Sequence, residues 1–132
     1  MRPDRFQAFT LDIVKNTPDA RVQTLTEAGI DTYPYGLAIV TPAGEARWQI
    51  YGRLATSERH TDPDAPVTST PVPAGAPPSP GDSPEGWLAA VLAQAQSPEI
   101  ASIDRWSTRP GKNKAGITVA FHNGVRAFIR QI

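Results

Sequence analysis

The sequence predicts an α+β fold: two or three helices packed on an antiparallel sheet built from two β-hairpins plus one strand, with a proline-rich linker between the halves. Three observations carry that prediction. Apolar residues recur at helical spacing in stretches that open on capping residues, proline or a carboxylate. Two glycine-led runs rich in β-branched residues fold back at Pro42-Ala43-Gly44 and at Asn123-Gly124. Between Pro63 and Pro84 lie eight of the 14 prolines, with no amphipathic period around them.

The first element is a helix over residues 4–15. Phe6, Phe9 and Ile13 fall at spacings of three and four, with Val14 beside them and Asp4 as the cap. Phe9, Leu11 and Ile13 also alternate with Thr10 and Asp12, which is the rival strand reading. Residues 17–29 read as a second helix: Thr17 caps, Pro18 takes the first helical position, Asp19 follows and Gly29 stops it. Val22, Thr24 and Thr26, which favour strands, stand against that reading.

Residues 36–54 predict a hairpin with a three-residue loop, Pro42-Ala43-Gly44, so that Thr41 faces Glu45. That register puts Ala38, Val40, Ala46, Trp48 and Ile50 on the core face and Leu37, Ile39, Arg47 and Gln49 on the other. The segment that follows reads as an extended, solvated connector, dispensable for folding. Its two PxxP matches, Pro63 with Pro66 and Pro77 with Pro80, read as linker rather than ligand. Ser83-Pro84-Glu85 then restarts a helix, with Trp87, Leu88, Val91, Leu92 and Ala95 on its apolar face and an end near Gln96.

Ile100–Thr108 is expected to be a strand, with Ile103 or Trp106 inward, and Arg109–Gly116 a basic loop. The final hairpin pairs 117–122 with 125–131 across a type I′ turn at Asn123-Gly124. One face then holds Ile117, Val119, Phe121, Arg126, Phe128 and Arg130, and the other Thr118, Ala120, His122, Val125, Ala127 and Ile129. Gly36 and Gly44 are spaced like Gly116 and Gly124, a shared hairpin grammar. The expected organisation is a helix-helix-hairpin half (1–61), the proline-rich linker (62–83) and a helix-strand-hairpin half (84–132), forming one domain with an internal excursion.

Net charge is zero, but it is segregated. Residues 1–104 carry seven cations against all 13 carboxylates, and residues 105–132 carry six cations and no acidic side chain. Those six, Arg105, Arg109, Lys112, Lys114, Arg126 and Arg130, are the candidate nucleic-acid-binding residues, interleaved with Trp106, Phe121 and Phe128. The bland alternative has the aromatics in the core and the arginines lying over it.

No catalytic residues are assigned. His60 lies in a Ser/Glu/Arg/His/Thr/Asp run beside the prolines, away from any rigid scaffold, and His122 is a turn residue. Two isolated histidines and no cysteine speak against a metal site, and neither GxGxxG nor a P-loop occurs, so no cofactor is expected. No apolar run has the length of a signal peptide or a membrane span, so the expected location is the cytoplasm.

The expected function is that of a small non-enzymatic accessory protein binding nucleic acid or another polyanion through its basic end. The alternative is a structural or assembly protein that meets copies of itself, or an acidic surface of a larger complex, through hairpin edges and charge complementarity.

Overall fold

A computed structural model of the chain describes residues 1–56, 58–111 and 114–132. Helix α1 spans Pro3–Lys15, with proline in the first turn, Asp4 near the positive end of the macrodipole and Lys15 near the negative end. Arg2, not Asp4, is the N-cap, and its side chain makes no capping bond. Phe6, Thr10 and Val14, spaced by four, form the buried stripe.

The expected second helix does not form. After α1 the chain turns through Asp19 at φ 62° and enters strand β1, Arg21–Thr24. Its helix signals were caps around only two apolar positions, Val22 and Leu25, too little surface for a helix to bury, whereas Val22 and Thr24 suit a half-buried strand. A single helical turn follows. The Thr24 hydroxyl accepts from the Glu27 N–H (3.1 Å) while the Glu27 carboxylate accepts from the Thr24 N–H (3.0 Å), a reciprocal cap around one turn ending at Gly29, φ 85°.

β2 (Gly36–Thr41) and β3 (Gly44–Arg53) form the first hairpin, but Thr41 pairs with Gly44 and only Pro42 and Ala43 lie in the loop. The shift of one residue exchanges the faces of β2. Leu37 and Ile39 therefore join Ala46, Trp48 and Ile50 in the core, and Ala38 and Val40 go to the other side. The expectation held for the Trp48 face of β3 and failed for its partner strand.

Residues 54–83 contain no helix or strand among those described, yet they are not a free connector. Asp64 accepts from the Arg2 N–H and from Arg5, Glu58 pairs with Arg2, Ser69 N–H donates to the Pro98 carbonyl (2.8 Å), and Val72 packs against the core. Gln94 and Gln96 donate to the carbonyls of Ala74, Gly75 and Val72. The prolines leave this backbone without a ladder, and side-chain amides of the folded part satisfy it instead.

Helix α2, Pro84–Gln94, begins as its sequence dictates: the Ser83 hydroxyl accepts from the Gly86 N–H at 3.1 Å. It buries Trp87, Leu88, Val91 and Leu92. β4 spans Ile100–Arg105 and stops there, because residues Trp106–Thr108 wind into a 3-10 turn. Ile103 packs against the core, while Trp106 donates its indole N–H to the Thr118 hydroxyl at 2.8 Å.

β5 (Gly116–Phe121) and β6 (Arg126–Gln131) form the second hairpin, again one residue from the expected register. Phe121 N–H donates to the Val125 carbonyl and Gly124 N–H to the Phe121 carbonyl, so the loop holds three residues, His122-Asn123-Gly124. Gly124 alone takes a positive φ, 88°, so the turn is not type I′, which needs Asn123 there too. Asn123 is held by its side chain, accepting from the Val125 N–H and donating to the Ala65 carbonyl, both at 3.1 Å. Val125, Ala127 and Ile129 thus share the core face with Ile117, Val119 and Phe121, and Arg126, Phe128 and Arg130 share the opposite one with Thr118 and Ala120.

The six strands make one antiparallel sheet in the order β1-β2-β3-β6-β5-β4. Both helices contribute to the core on one face, where Phe6 meets Phe121 edge to face at 5.8 Å. The order is unchanged when β1, β2 and β3 are exchanged with β4, β5 and β6. The chain is therefore an αβββ unit followed by another, related by a pseudo-two-fold axis through the β3·β6 pair. Gln49 and Arg130, which pair across that axis, are 81 residues apart. The same offset relates Pro3 to Pro84, Phe6 to Trp87, Val22 to Ile103 and Leu25 to Trp106.

Candidate functional site: the open face of the sheet

The helices cover one face of the sheet, and the register fixes what stands on the other. Along β3 these are Glu45, Arg47, Gln49, Tyr51 and Arg53, and along β6 Arg126, Phe128 and Arg130. Three cross-strand pairs line the centre: Gln49 with Arg130, Tyr51 with Phe128, and Arg53 with Arg126. The Tyr51 and Phe128 rings stack, centroids 5.0 Å apart at 23°, and Tyr51 is 38% exposed. Arg130 donates to the Gln49 side-chain oxygen at 2.7 Å, which anchors its head beside the stack. Arg47 meets Glu45 at 3.5 Å in an exposed pair worth little.

Leu25 and Trp106 flank this strip. They lie over Gly36 and Gly116, where an added Cβ would come within 2.3 Å of Leu25 and within 2.2 Å of Trp106. Beyond Arg53 the strip opens into a cleft of about 480 Å³ lined by Arg53, Leu54, Ala55, Thr56, Gly124 and Arg126.

Of the six basic residues expected to act, the fold separates two sets. Arg105 is committed to structure: its Nε donates to Glu85 at 2.9 Å. Glu85 is 2% exposed and also accepts from the Ser107 N–H and hydroxyl and from the Gly116 N–H. Burial alone would raise the Glu85 carboxyl; the bonds from Ser107, Gly116 and Arg105 outweigh it and hold the group below its ordinary value. Arg109 pairs with Asp104 and reaches the Thr118 hydroxyl. Lys114 is exposed in the loop, and Lys112 lies outside the described residues. Arg126 and Arg130 stand on the open face.

Arg47 and Arg53 complete that face and come from the acidic half of the sequence. The available signal was their alternation with Gln49 and Tyr51 along β3, opposite the Trp48 side. The juxtaposition with Arg126, Phe128 and Arg130 depends on β3 pairing with β6, which no local pattern announces.

Many of the carboxylates are engaged elsewhere. Glu58, Asp64 and Glu99 gather at the start of α1 around Arg2 and Arg5. Burial works against the Asp64 charge, and bonds from the Arg2 N–H and the Arg5 guanidinium overcome it and hold its carboxyl below the ordinary value. Among the described residues, no group of three or more His, Asp or Glu is placed to hold a metal ion, and no helix is long and apolar enough to cross a membrane. The Nε2 of His122 lies 3.2 Å from the Thr70 carbonyl, and His60 is exposed.

Fold and site together define a small α+β protein: two helices on one face of a six-stranded antiparallel sheet, with an aromatic pair among arginines on the other. The chain matches no family model, no curated protein and no solved structure.

Proposed function

We propose that this protein is a non-enzymatic nucleic-acid-binding protein that uses the open face of its sheet, with a preference for single strands. The observation that carries the reading is the Tyr51–Phe128 stack at the centre of a strip with Arg47, Arg53, Arg126 and Arg130 around it. Exposed rings on a sheet offer π-faces to unstacked bases, each such contact contributing about 1–3 kcal/mol. Guanidinium groups beside them suit phosphate oxygens and lose little on desolvation. A duplex hides its base faces, so it would meet the arginines but not the rings. The basic C-terminal strand β6 remains part of the reading, joined by β3 rather than by the 109–116 loop.

The test is a titration of labelled single-stranded and duplex DNA and RNA at two salt concentrations. Single strands are expected to bind more tightly than duplex, with log K falling by about 0.7 per contacted phosphate for each decade of salt. Exchanging both rings, Tyr51→Leu with Phe128→Leu, should weaken single-strand binding and leave the salt slope unchanged. Arg47→Gln should flatten the slope. Absence of binding to every nucleic acid at low salt and micromolar protein would reject the reading. A concentration-dependent mass in light scattering would then favour the assembly alternative, with this face meeting another copy or an acidic protein surface.

A further inference from the structure

Arg53 and Arg126 are cross-strand partners at the end of the β3·β6 ladder. Like charges placed opposite one another on a sheet destabilise it. Both side chains are exposed, and among the described residues neither has an ion pair or hydrogen bond through its guanidinium. The nearest carboxylate in sequence, Glu58, is engaged by Arg2 and by the Ala55 N–H. Both arginines line the cleft of about 480 Å³, with Thr56 and the left-handed Gly124 on its walls. A Cβ on Gly124 would stand 3.2 Å from that of Ala55, so a side chain there would crowd the wall of the cleft. The fold does not impose this pair: the 81-residue offset that carries Gln49 onto Arg130 carries Glu45, not an arginine, onto Arg126.

We propose that this cleft is a phosphate-binding subsite, in which Arg53 and Arg126 share one phosphate group whose attached nucleoside lies against the neighbouring Tyr51–Phe128 stack. The identity of the ligand as a nucleotide rests on the nucleic-acid reading; the anion subsite itself rests on the arginine pair and the cleft. A phosphate supplies the negative charge that the opposed guanidinium groups lack, and its oxygens accept from both forks at once. The cleft has room for a phosphate with its water, and the stack begins at the adjacent cross-strand pair.

The experiment follows backbone amide and arginine Nε–H signals by NMR as inorganic phosphate, uridine monophosphate or uridine is added to the full chain. Phosphate and the monophosphate are expected to shift Gly124, Thr56 and the Arg53 and Arg126 side chains in a saturable way. Only the monophosphate adds shifts at Tyr51 and Phe128, and uridine alone leaves the arginines unmoved. Arg53→Gln and Arg126→Gln should each weaken phosphate binding about tenfold, as the loss of one charge-assisted contact implies. Without phosphate each variant should melt no lower than the wild type, because it relieves the like-charge pair. Phosphate shifts that stay outside the cleft, or that survive both substitutions, would overturn the subsite. Saturable cleft shifts with phosphate, but none at the rings with the monophosphate, would uphold the anion subsite and reject the nucleotide assignment.

Discussion

In the first αβββ unit Gln7 reaches from α1 to the N–H of Gly36 at 2.8 Å, and Leu25 lies over that glycine. In the second, Glu85 reaches from α2 to the N–H of Gly116 at 2.9 Å, and Trp106 lies over it. The requirement is the same in both: the backbone that opens the middle strand needs an acceptor from the helix and a cover from the residue that follows the preceding strand. The chemistry differs. A neutral amide is sufficient alone, whereas a buried carboxylate needs further donors, and Arg105 and Ser107 supply them. One local solution is a single hydrogen bond; the other is a network that engages the half-exposed Arg105. A basic residue inside the most basic stretch of the chain is thus tied into a structural ion pair.

The largest difference between the units should come from that network. Glu85→Ala leaves a buried N–H and a half-exposed guanidinium unpaired, and a loss of about 3 kcal/mol is expected. Gln7→Ala removes one bond and should cost about 1 kcal/mol. Urea denaturation of both variants checks this, and equal losses would erase the distinction. The same carboxylate gives a pH signature. Its folded-state pKa is depressed, so its contribution is present above the unfolded value and disappears as pH falls through the folded one, on the acid side of 4.5. Wild-type stability should therefore drop there more steeply than that of Glu85→Gln, which starts lower at neutral pH and has less to lose.

The covering residues separate the units next. An alanine at Gly36 would put Cβ 2.3 Å from the Trp48 carbonyl oxygen, backbone that cannot yield. Alanine at Gly116 meets the Trp106 ring first, a half-exposed side chain on a 3-10 turn that can shift by giving up its bond to Thr118. Gly36→Ala should cost about 3 kcal/mol and Gly116→Ala nearer 1, the latter with a change in Trp106 fluorescence. The reverse order in thermal unfolding would show that β5 and not β2 is the rigid strand.

The loops of the two hairpins give a smaller contrast. Gly124 takes the left-handed conformation, and Gly124→Ala should lose about 1–2 kcal/mol. The smallest effect belongs to the segment between the units. Gln96→Ala removes an exposed amide bond to the Val72 carbonyl (2.7 Å) and should cost about 0.5–1 kcal/mol, measurable as a lower melting temperature. No change would show that this bond does not hold the segment to the end of α2.

Legibility followed interaction range. α1 and α2 were readable from Phe6, Phe9, Ile13 and Val14 and from Trp87 and Leu92 because a helix buries a stripe that recurs within a few residues, although in α1 the fully buried line runs through Phe6, Thr10 and Val14 and leaves Phe9 and Ile13 at its edge. Both hairpins were recognisable by their glycines and turn residues, yet both registers were misplaced by one. Pro42-Ala43-Gly44 and His122-Asn123-Gly124 each suit a two- or a three-residue loop, and the choice falls to whichever face finds the helices. The strand at Arg21–Thr24 was hidden by good caps, because its reason to be extended is the edge of β2. Of the candidate site, Arg126 and Arg130 were visible as part of a charge run, but Arg47 and Arg53 were not, since nothing near them in sequence is basic enough to single them out.

What the sequence determined by itself is therefore local: that α1 and α2 are helices, where the chain reverses, and that cations dominate its last stretch. These follow from dihedral preferences, caps and periodicity, which act within one or two turns of chain. The tertiary structure decided the rest. It set the hairpin registers, docked the proline-rich segment through side-chain amides, and paired β3 with β6 so that arginines from an acidic half and a basic half stand around one aromatic stack. Those outcomes depend on burying a shared apolar face between elements tens of residues apart. Such a surface is a property of the folded layers and is not written in any one stretch of the chain.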